Sequence, residues 1–247
     1  MPGPSIQRRW RETPIYAPEF LGSNMTCNYD GASTTPSAHA PIQAGGTIKA
    51  TWQSRAYPTY QWSHSIGPIV VYMARCPGTS CEGFKGEGNV WFKIQQLGLK
   101  PNATNLLDGN WMQDMIKNQP IRDNTGKWTG EFGPSGIETK IPQSLQPGPY
   151  LIRHEVFNYN IVSGPFQPQS FPNCAQLMVE GDGTKFPGQD YLVSFPGAYK
   201  LDGKHLRLLP LTYLPLVIDW LSDTLIWRSC FLDSRTLIWG STASTRA

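Results

Sequence analysis

The sequence predicts an all-β protein in which short strands form a two-sheet sandwich with long loops. Its 247 residues include 24 glycines and 22 prolines, whereas charged residues make up only 16%. This composition is typical of a turn-rich β protein rather than a helical bundle. No long segment carries a helical period, although residues 110–118 are compatible with a short helix.

Six segments have the length and pattern of strands, because in each of them apolar and polar residues alternate, or apolar residues follow one another, between turn residues. They are 46–52, 67–74, 89–94, 136–142, 148–156 and 174–181. In 148–156 the alternation predicts that Tyr150, Ile152 and His154 share one face, where His154 is expected to be an ordinary core histidine. Glu155 is expected to be buried or to pair with Arg153 or a neighbour.

Residues 1–204 are interpreted as one β-sandwich domain, followed by a tail, residues 205–247, that lacks the Gly-rich turns of the rest. The tail is apolar but is interrupted by Pro210 and Pro215, and its longest charge-free stretch, 208–218, is 11 residues. A membrane span needs about 20 apolar residues. We therefore expect no membrane span, and we interpret the tail as mistranslated or disordered.

A small net charge and five cysteines narrow the class of protein. The net charge of +3 is too small to indicate a nucleic-acid partner. Cys76 and Cys81 flank a Pro-Gly turn, which makes a bridge between them sterically easy. Cys27 and Cys174 would then join the two ends of the core and leave Cys230 unpaired, although spacing alone proves neither pairing.

Two Asn-x-Ser/Thr triplets, at Asn24 and Asn102, together with the cysteines favour a secreted, extracellular glycoprotein. Residues 1–12 contain no apolar segment of the kind that a signal peptide needs. The expectation is therefore that the signal peptide and the true N terminus are missing from this sequence.

The chain lacks the motifs of several common enzyme classes. It has no Gly-x-Ser-x-Gly elbow of a serine hydrolase, no Cys/His cluster with zinc spacing and no phosphate-binding loop before a helix. Glu155 is the only carboxylate in a strong strand, and a glycosidase needs two. Of the four histidines, His64 lies in a loop just before the predicted strand 67–74.

Four phrases in order carry a family resemblance. They are MTCN (25–28), WSHSIGPIVVYMARC (62–76), GPYLIRHEVFNYN…QSFPNCAQLMV (148–179) and SFPGAY (194–199). Over about residues 10 to 200 the chain resembles the fungal lytic polysaccharide monooxygenases of auxiliary activity family nine, formerly glycoside hydrolase family sixty-one. The resemblance implies an immunoglobulin/fibronectin-like sandwich and copper-dependent oxidation of C1 and/or C4 in cellulose or a related β-1,4-glucan, driven by an external electron donor.

The resemblance also implies one copper ion, held by the amino group and imidazole of an N-terminal histidine and by a second histidine before a Gly-Pro. Three nitrogens of this kind suit tetragonal Cu(II). His64 matches the second histidine. The chain begins with Met1 and aligns from after the family's first strand, so that strand and its histidine are expected to be missing, and the chain as given is expected to be inactive.

Three further positions match site residues of the family. Gln169 matches a glutamine that hydrogen-bonds near the axial oxygen position, Phe171 falls where an axial tyrosine is usual, and Asn160 falls where a histidine is usual. Phenylalanine cannot donate a hydrogen bond, and asparagine cannot carry a proton near neutral pH. Ser65 and Ile66 both stand between His64 and the Gly-Pro, where the family usually has one residue.

The resemblance implies disulfides Cys27–Cys174 and Cys76–Cys81. Three aromatic residues before His64, namely Tyr57, Tyr60 and Trp62, could stack on glucose rings or could cover an edge of the sandwich, and the sequence leaves both roles open. A monomer is expected.

Three functions remain on the sequence alone. The first is a copper monooxygenase as above, and the second is a non-catalytic secreted relative that binds copper or glycan. The third is a product that does not fold, since a lost edge strand and an apolar tail expose surface that aggregates.

Overall fold

A computed structural model of the chain describes residues 5–29, 31–32, 38–52, 62–105, 110–116, 119–133, 136–159 and 168–199. Within them lie ten strands: β1 Ile15–Tyr16, β2 Ala40–Gln43, β3 Thr47–Ala50, β4 Ile69–Arg75, β5 Trp91–Leu97, β6 Gln119–Arg122, β7 Trp128–Gly133, β8 Ile137–Lys140, β9 Gly148–Asn158 and β10 Gln169–Glu180. The helical segments there are short: α1 Asn24–Cys27 and the 3-10 helices Ala17–Leu21, Met112–Ile116 and Gln189–Tyr191.

The main sheet has the strand order β1-β10-β9-β4-β5, and β2 pairs in parallel with β10. Pairs β10–β9, β9–β4 and β4–β5 are antiparallel. A second sheet, β3–β8, packs over one face of the main sheet, because Ile48 and Ile137 join the apolar clusters of β4 and β9. The predicted all-β sandwich is therefore confirmed.

The central strand β9 is buried on both faces, as a strand between two packed layers must be. Tyr150 and Ile152 pack in the cluster beneath β3–β8, and His154 contacts Thr139 of β8. The prediction that these alternate residues share a face is therefore confirmed.

The opposite face of β9 carries an ion pair that is excluded from solvent. Arg153 Nη1 lies 2.6 Å from Glu155 Oε2, and both side chains are fully buried. The guanidinium also donates to the carbonyl oxygens of Met25 and Thr26 and lies 3.8 Å above the ring of Phe195. The expected pairing of Glu155 with Arg153 is thus confirmed, and the pair ties β9 to α1.

Both disulfides that the resemblance implies are present. Cys27–Cys174 joins α1 to β10, and Cys76–Cys81 closes the turn after β4. The short helix expected within 110–118 is the 3-10 helix Met112–Ile116. Strands β1, β2, β6 and β7 were not predicted. The tail, residues 205–247, lies outside the described residues. In the described part of the chain, no helix is long and apolar enough to cross a membrane.

Candidate metal centre

His64 lies in the loop that enters β4, and its imidazole is half-buried between two aromatic rings. The Trp62 ring meets it nearly at a right angle with a centroid distance of 5.1 Å, and the Phe171 ring is 5.5 Å away. Trp62 and Phe171 also contact each other, at 4.9 Å. The three side chains therefore form one cluster, built from a loop and from the start of β10.

Burial lowers the pKa of His64 below its ordinary value of 6.5. The imidazole is therefore neutral at neutral pH, which is the form that binds metals. Among the described residues, none hydrogen-bonds to either ring nitrogen of His64. Within the described part of the chain, the ring is therefore held by aromatic packing.

His64 lines a cavity of about 440 Å³ between the two sheets. One wall comes from β3 and the two residues after it, with Ile48 and Trp52, and the other from β10, with Phe171 and Asn173. The N-terminal segment 6–12 contributes a third side. The cavity is lined by both apolar and polar side chains, the charged Arg11, Glu12 and Lys49 among them, and it opens onto the one histidine that the sequence singled out.

His154 lines the same cavity but serves the core. Its Nε2 lies 3.3 Å from the Thr139 hydroxyl, and the Trp52 ring packs edge-on at 6.2 Å. Burial lowers the pKa of His154 to about 4. The side chain is therefore neutral and structural, as expected for a core histidine.

Gln169 lies two residues before Phe171 on β10, so both side chains are on the same face of the strand. Gln169 Oε1 accepts a hydrogen bond from Asn158 Nδ2 of β9 at 2.7 Å. The two residues lie directly opposite each other in the antiparallel pair β10–β9. The amide is therefore held in one orientation at the end of the sheet that carries Phe171.

Asn160, Tyr57 and Tyr60 lie outside the described residues, so their proposed roles stay predictions. Trp62 is half-buried, and its indole N–H donates to Gln113 Oε1 at 3.2 Å. This contact gives Trp62 a part in the wall around His64. Stacking of Trp62 on a glucose ring stays a prediction.

Two further residues shape this site, and only Gly67, through its Gly-Pro, belonged to a signal in the sequence. Gln113 is a polar residue of a short helix, yet it is fully buried. Gly67 has φ of +140° and lies against β9 so closely that a Cβ would meet the Phe157 carbonyl oxygen at 2.3 Å. The Gly-Pro step was a visible turn signal, but the burial of Gln113 depends on tertiary packing.

The model of Auxiliary Activity family 9 (formerly GH61) matches residues 4–212 of the sequence. The chain belongs to this family. Its members are copper-dependent lytic polysaccharide monooxygenases, which are oxidoreductases. The family fold is the immunoglobulin-like sandwich described above.

Curated relatives agree with this assignment. An AA9 family lytic polysaccharide monooxygenase B of Heterobasidion irregulare is 36% identical over 80% of this chain and 70% of the relative. A monooxygenase D of Thermothelomyces thermophilus is 34% identical over 78% of this chain and 66% of the relative. The AA9-like protein CEL1 of Agaricus bisporus is 33% identical, and the chain spans 52% of its length.

Solved AA9 structures resemble the fold as well. A cellulose-active polysaccharide monooxygenase from M. thermophila superposes with a TM-score of 0.65 at 30% identity, covering 82% of this chain and 79% of the other. HiLPMO9B superposes with a TM-score of 0.61 at 34% identity, covering 81% and 77%.

The described residues fit an AA9 copper site only in part. His64 is a suitable nitrogen ligand, and Phe171 lies beside it. Within the described ranges, however, no group of three or more His, Cys, Asp or Glu side chains is close enough to hold a metal ion. Because copper(II) prefers several nitrogen ligands, these residues do not complete the site by themselves.

Proposed function

We propose that this AA9 protein acts in the oxidative cleavage of cellulose or a related β-1,4-glucan. It would oxidise C1 and/or C4, with copper as cofactor and an external electron donor. The observation that carries the proposal is the neutral imidazole of His64, which makes no hydrogen bond to another described residue, packs against Phe171 and faces a cavity in an AA9 fold. The relative described as cellulose-active supports the choice of glucan. We further propose a secreted monomer.

In this proposal the residues around His64 hold and shield the metal ligand. Trp62 and Phe171 keep the imidazole in one orientation and exclude water from two sides of the ring. Phe171 offers no hydroxyl, so it covers its side of the site without donating a hydrogen bond. Gln169 offers an amide that Asn158 has already oriented. Asn160 is proposed to lie near the same site.

We also propose that the 247-residue chain by itself binds copper weakly and does not oxidise glucan. The reason is that, among the described residues, no group of three or more His, Cys, Asp or Glu side chains lies close enough together to hold the ion. A test incubates the chain with swollen cellulose, Cu²⁺ and ascorbate and analyses soluble products by mass spectrometry. We expect no oxidised cello-oligosaccharides. Oxidised products formed by the wild-type chain but not by His64→Ala would refute the proposal that the chain is inactive and would establish it as an enzyme.

The second candidate is a non-catalytic relative that binds copper or glycan, and Phe171 at the axial tyrosine position favours it. Co-sedimentation with cellulose distinguishes a binding protein from a protein that has lost its function. A binding protein is retained on the glucan without forming oxidised products. The N-terminal peptide of the native secreted protein, identified by mass spectrometry, decides between them. An N-terminal histidine supports the enzyme, and any other residue supports the binding protein.

A further inference from the structure

The buried amide of Gln113 connects both ends of the loop that carries His64. Gln113 Oε1 accepts from Trp62 Nε1 at 3.2 Å, and Gln113 Nε2 donates to the carbonyl oxygen of Gly67 at 3.0 Å. The same Nε2 donates to the carbonyl oxygen of Phe157 at 2.6 Å. One side chain therefore joins the start of the loop, its end and β9.

We propose that Gln113 is a positioning residue for His64. It fixes Trp62, whose ring packs against the imidazole, and so sets where the proposed metal ligand lies. The inference rests on the proposed function in that His64 is taken to be a metal ligand.

Among the described residues, the backbone hydrogen bonds of this loop hold its later part. Tyr159 N donates to Ile66 O at 2.8 Å, and Phe157 N donates to Pro68 O at 3.0 Å. These bonds attach the residues after His64 to β9. At the start of the loop, the Trp62 indole N–H donates to Gln113 Oε1. Gln113 is therefore the polar contact that places Trp62 relative to Gly67.

The length of the loop makes this contact more important. Ser65 and Ile66 both separate His64 from Gly67. A longer segment between fixed points has more conformations available to it. The hydrogen bond that Trp62 donates to Gln113 restricts these conformations at the start of the loop.

The chemistry of the site requires an amide. A carboxylate in place of Gln113 could accept from Trp62, but its second oxygen would face the carbonyl oxygens of Gly67 and Phe157. A leucine fills a similar volume but leaves the Trp62 indole N–H and both carbonyl groups without this partner. Buried polar groups that lose their partners favour rearrangement of the structure around them.

The test compares Gln113→Leu with Gln176→Leu in the full chain. Gln176 is a matched control because it is also a fully buried, hydrogen-bonded amide, bound to Arg8 and to the Ala38 carbonyl oxygen, away from the His64 loop. Two readouts are used: NMR signals of the His64 imidazole and Trp62 indole in the metal-free protein, and Cu²⁺ titration followed by electron paramagnetic resonance.

We expect Gln113→Leu to move both NMR signals, to broaden the copper spectrum and to weaken Cu²⁺ binding by about tenfold or more, equivalent to about 1.4 kcal/mol. Gln176→Leu should lower the melting temperature but leave the His64 and Trp62 signals as in the wild type. Unchanged signals in folded Gln113→Leu would overturn the inference. Equal changes of the His64 and Trp62 signals in Gln176→Leu would show that Gln113 only contributes to general stability.

Trp62→Phe tests the same bond from its other end, and it also serves if Gln113→Leu does not fold. This variant keeps an aromatic ring but removes the indole N–H, so the Gln113 side-chain amide signal and the His64 signal should both move. If neither moves, the inference fails. If the wild type binds no Cu²⁺, the proposed function fails, while the metal-free spectra still decide the role of Gln113.

Discussion

Gly67 lies against Phe157 with no room for a side chain: a Cβ on residue 67 would be 2.3 Å from the Phe157 carbonyl oxygen. The φ of Gly67 is +140°, which residues with side chains rarely adopt. Because His64 is three residues earlier, this contact sets how closely its loop approaches β9.

Gly67→Ala is expected to destabilise the fold by about 3 kcal/mol or more, because it adds both a steric clash and backbone strain. Gly83→Ala is the matched control, since Gly83 also has a positive φ, of +72°, but nothing lies within 4 Å of its Cβ position. The control should cost about 1–2 kcal/mol. Urea unfolding measures both, and equal losses would show that the approach to Phe157 is not tight.

The Arg153–Glu155 pair should be sensitive to the loss of one partner. Arg153→Met leaves the Glu155 carboxylate buried beside the Ser170 and Tyr199 hydroxyls without its cation, and the expected cost is about 3–5 kcal/mol. Lys100→Met is the control, because the Lys100–Asp114 pair is partly exposed and should contribute under about 1 kcal/mol.

The double variant Arg153→Met/Glu155→Leu separates charge from packing. It removes both ions, so it should be more stable than Arg153→Met alone. A double variant that is less stable than the single one would mean that Glu155 matters mainly through its volume and its hydrogen bonds with the Ser170 and Tyr199 hydroxyls.

Stability should fall in acid because of His154. Its pKa in the folded protein is about 4, against an ordinary value of 6.5, so between these values the unfolded chain binds a proton that the folded protein does not. As the pH falls through this window, the fold should lose up to about 3 kcal/mol from this residue, and the loss should end below about pH 4.

His154→Gln tests this by unfolding titrations across the window, since glutamine can still hydrogen-bond Thr139 but does not titrate there. The slope of stability against pH should be flatter than in the wild type. His39→Gln, which removes a histidine whose pKa is also lowered by burial, should keep most of the slope. A wild-type slope in His154→Gln would contradict the assignment.

The two disulfides should differ in their contribution. Cys27–Cys174 closes a sequence separation of 147 residues and Cys76–Cys81 one of 5. By loop-closure entropy, replacing both cysteines with alanine should cost about 5 kcal/mol for the first pair and about 2 kcal/mol for the second. Thermal unfolding of the two double variants measures this, and a larger loss for the short loop would reverse the expected order.

Much of the main sheet could be predicted from the sequence because its strands are local patterns. The alternation of Tyr150, Ile152 and His154 predicted both a strand and a shared face. Glu155 was expected to be buried or to pair with Arg153 or a neighbour, and the structure shows that it is buried and paired with Arg153. Strand β2 was missed because Ala40–Gln43 contains a proline and no run of β-branched residues, and its place beside β10 depends on tertiary pairing.

The site could be predicted only in part. His64, Gln169 and Phe171 came from ordered phrases that resemble the family, and the structure packs His64 against Phe171. Gln113 could not be found in this way, because a glutamine in a short helix is usually exposed. Its role depends on the approach of residues 112–116 to Gly67, which no local pattern encodes.

The most direct test of the account is a calorimetric Cu²⁺ titration of the 247-residue chain and of His64→Ala, with His39→Ala as the control. We predict a wild-type Kd of about 1 μM or weaker, near −8 kcal/mol, a further loss of about tenfold or more in His64→Ala, and no loss in His39→Ala. Wild-type affinity retained in His64→Ala would show that His64 is not the ligand. Sub-micromolar binding that depends on His64 would show that the chain completes its copper site.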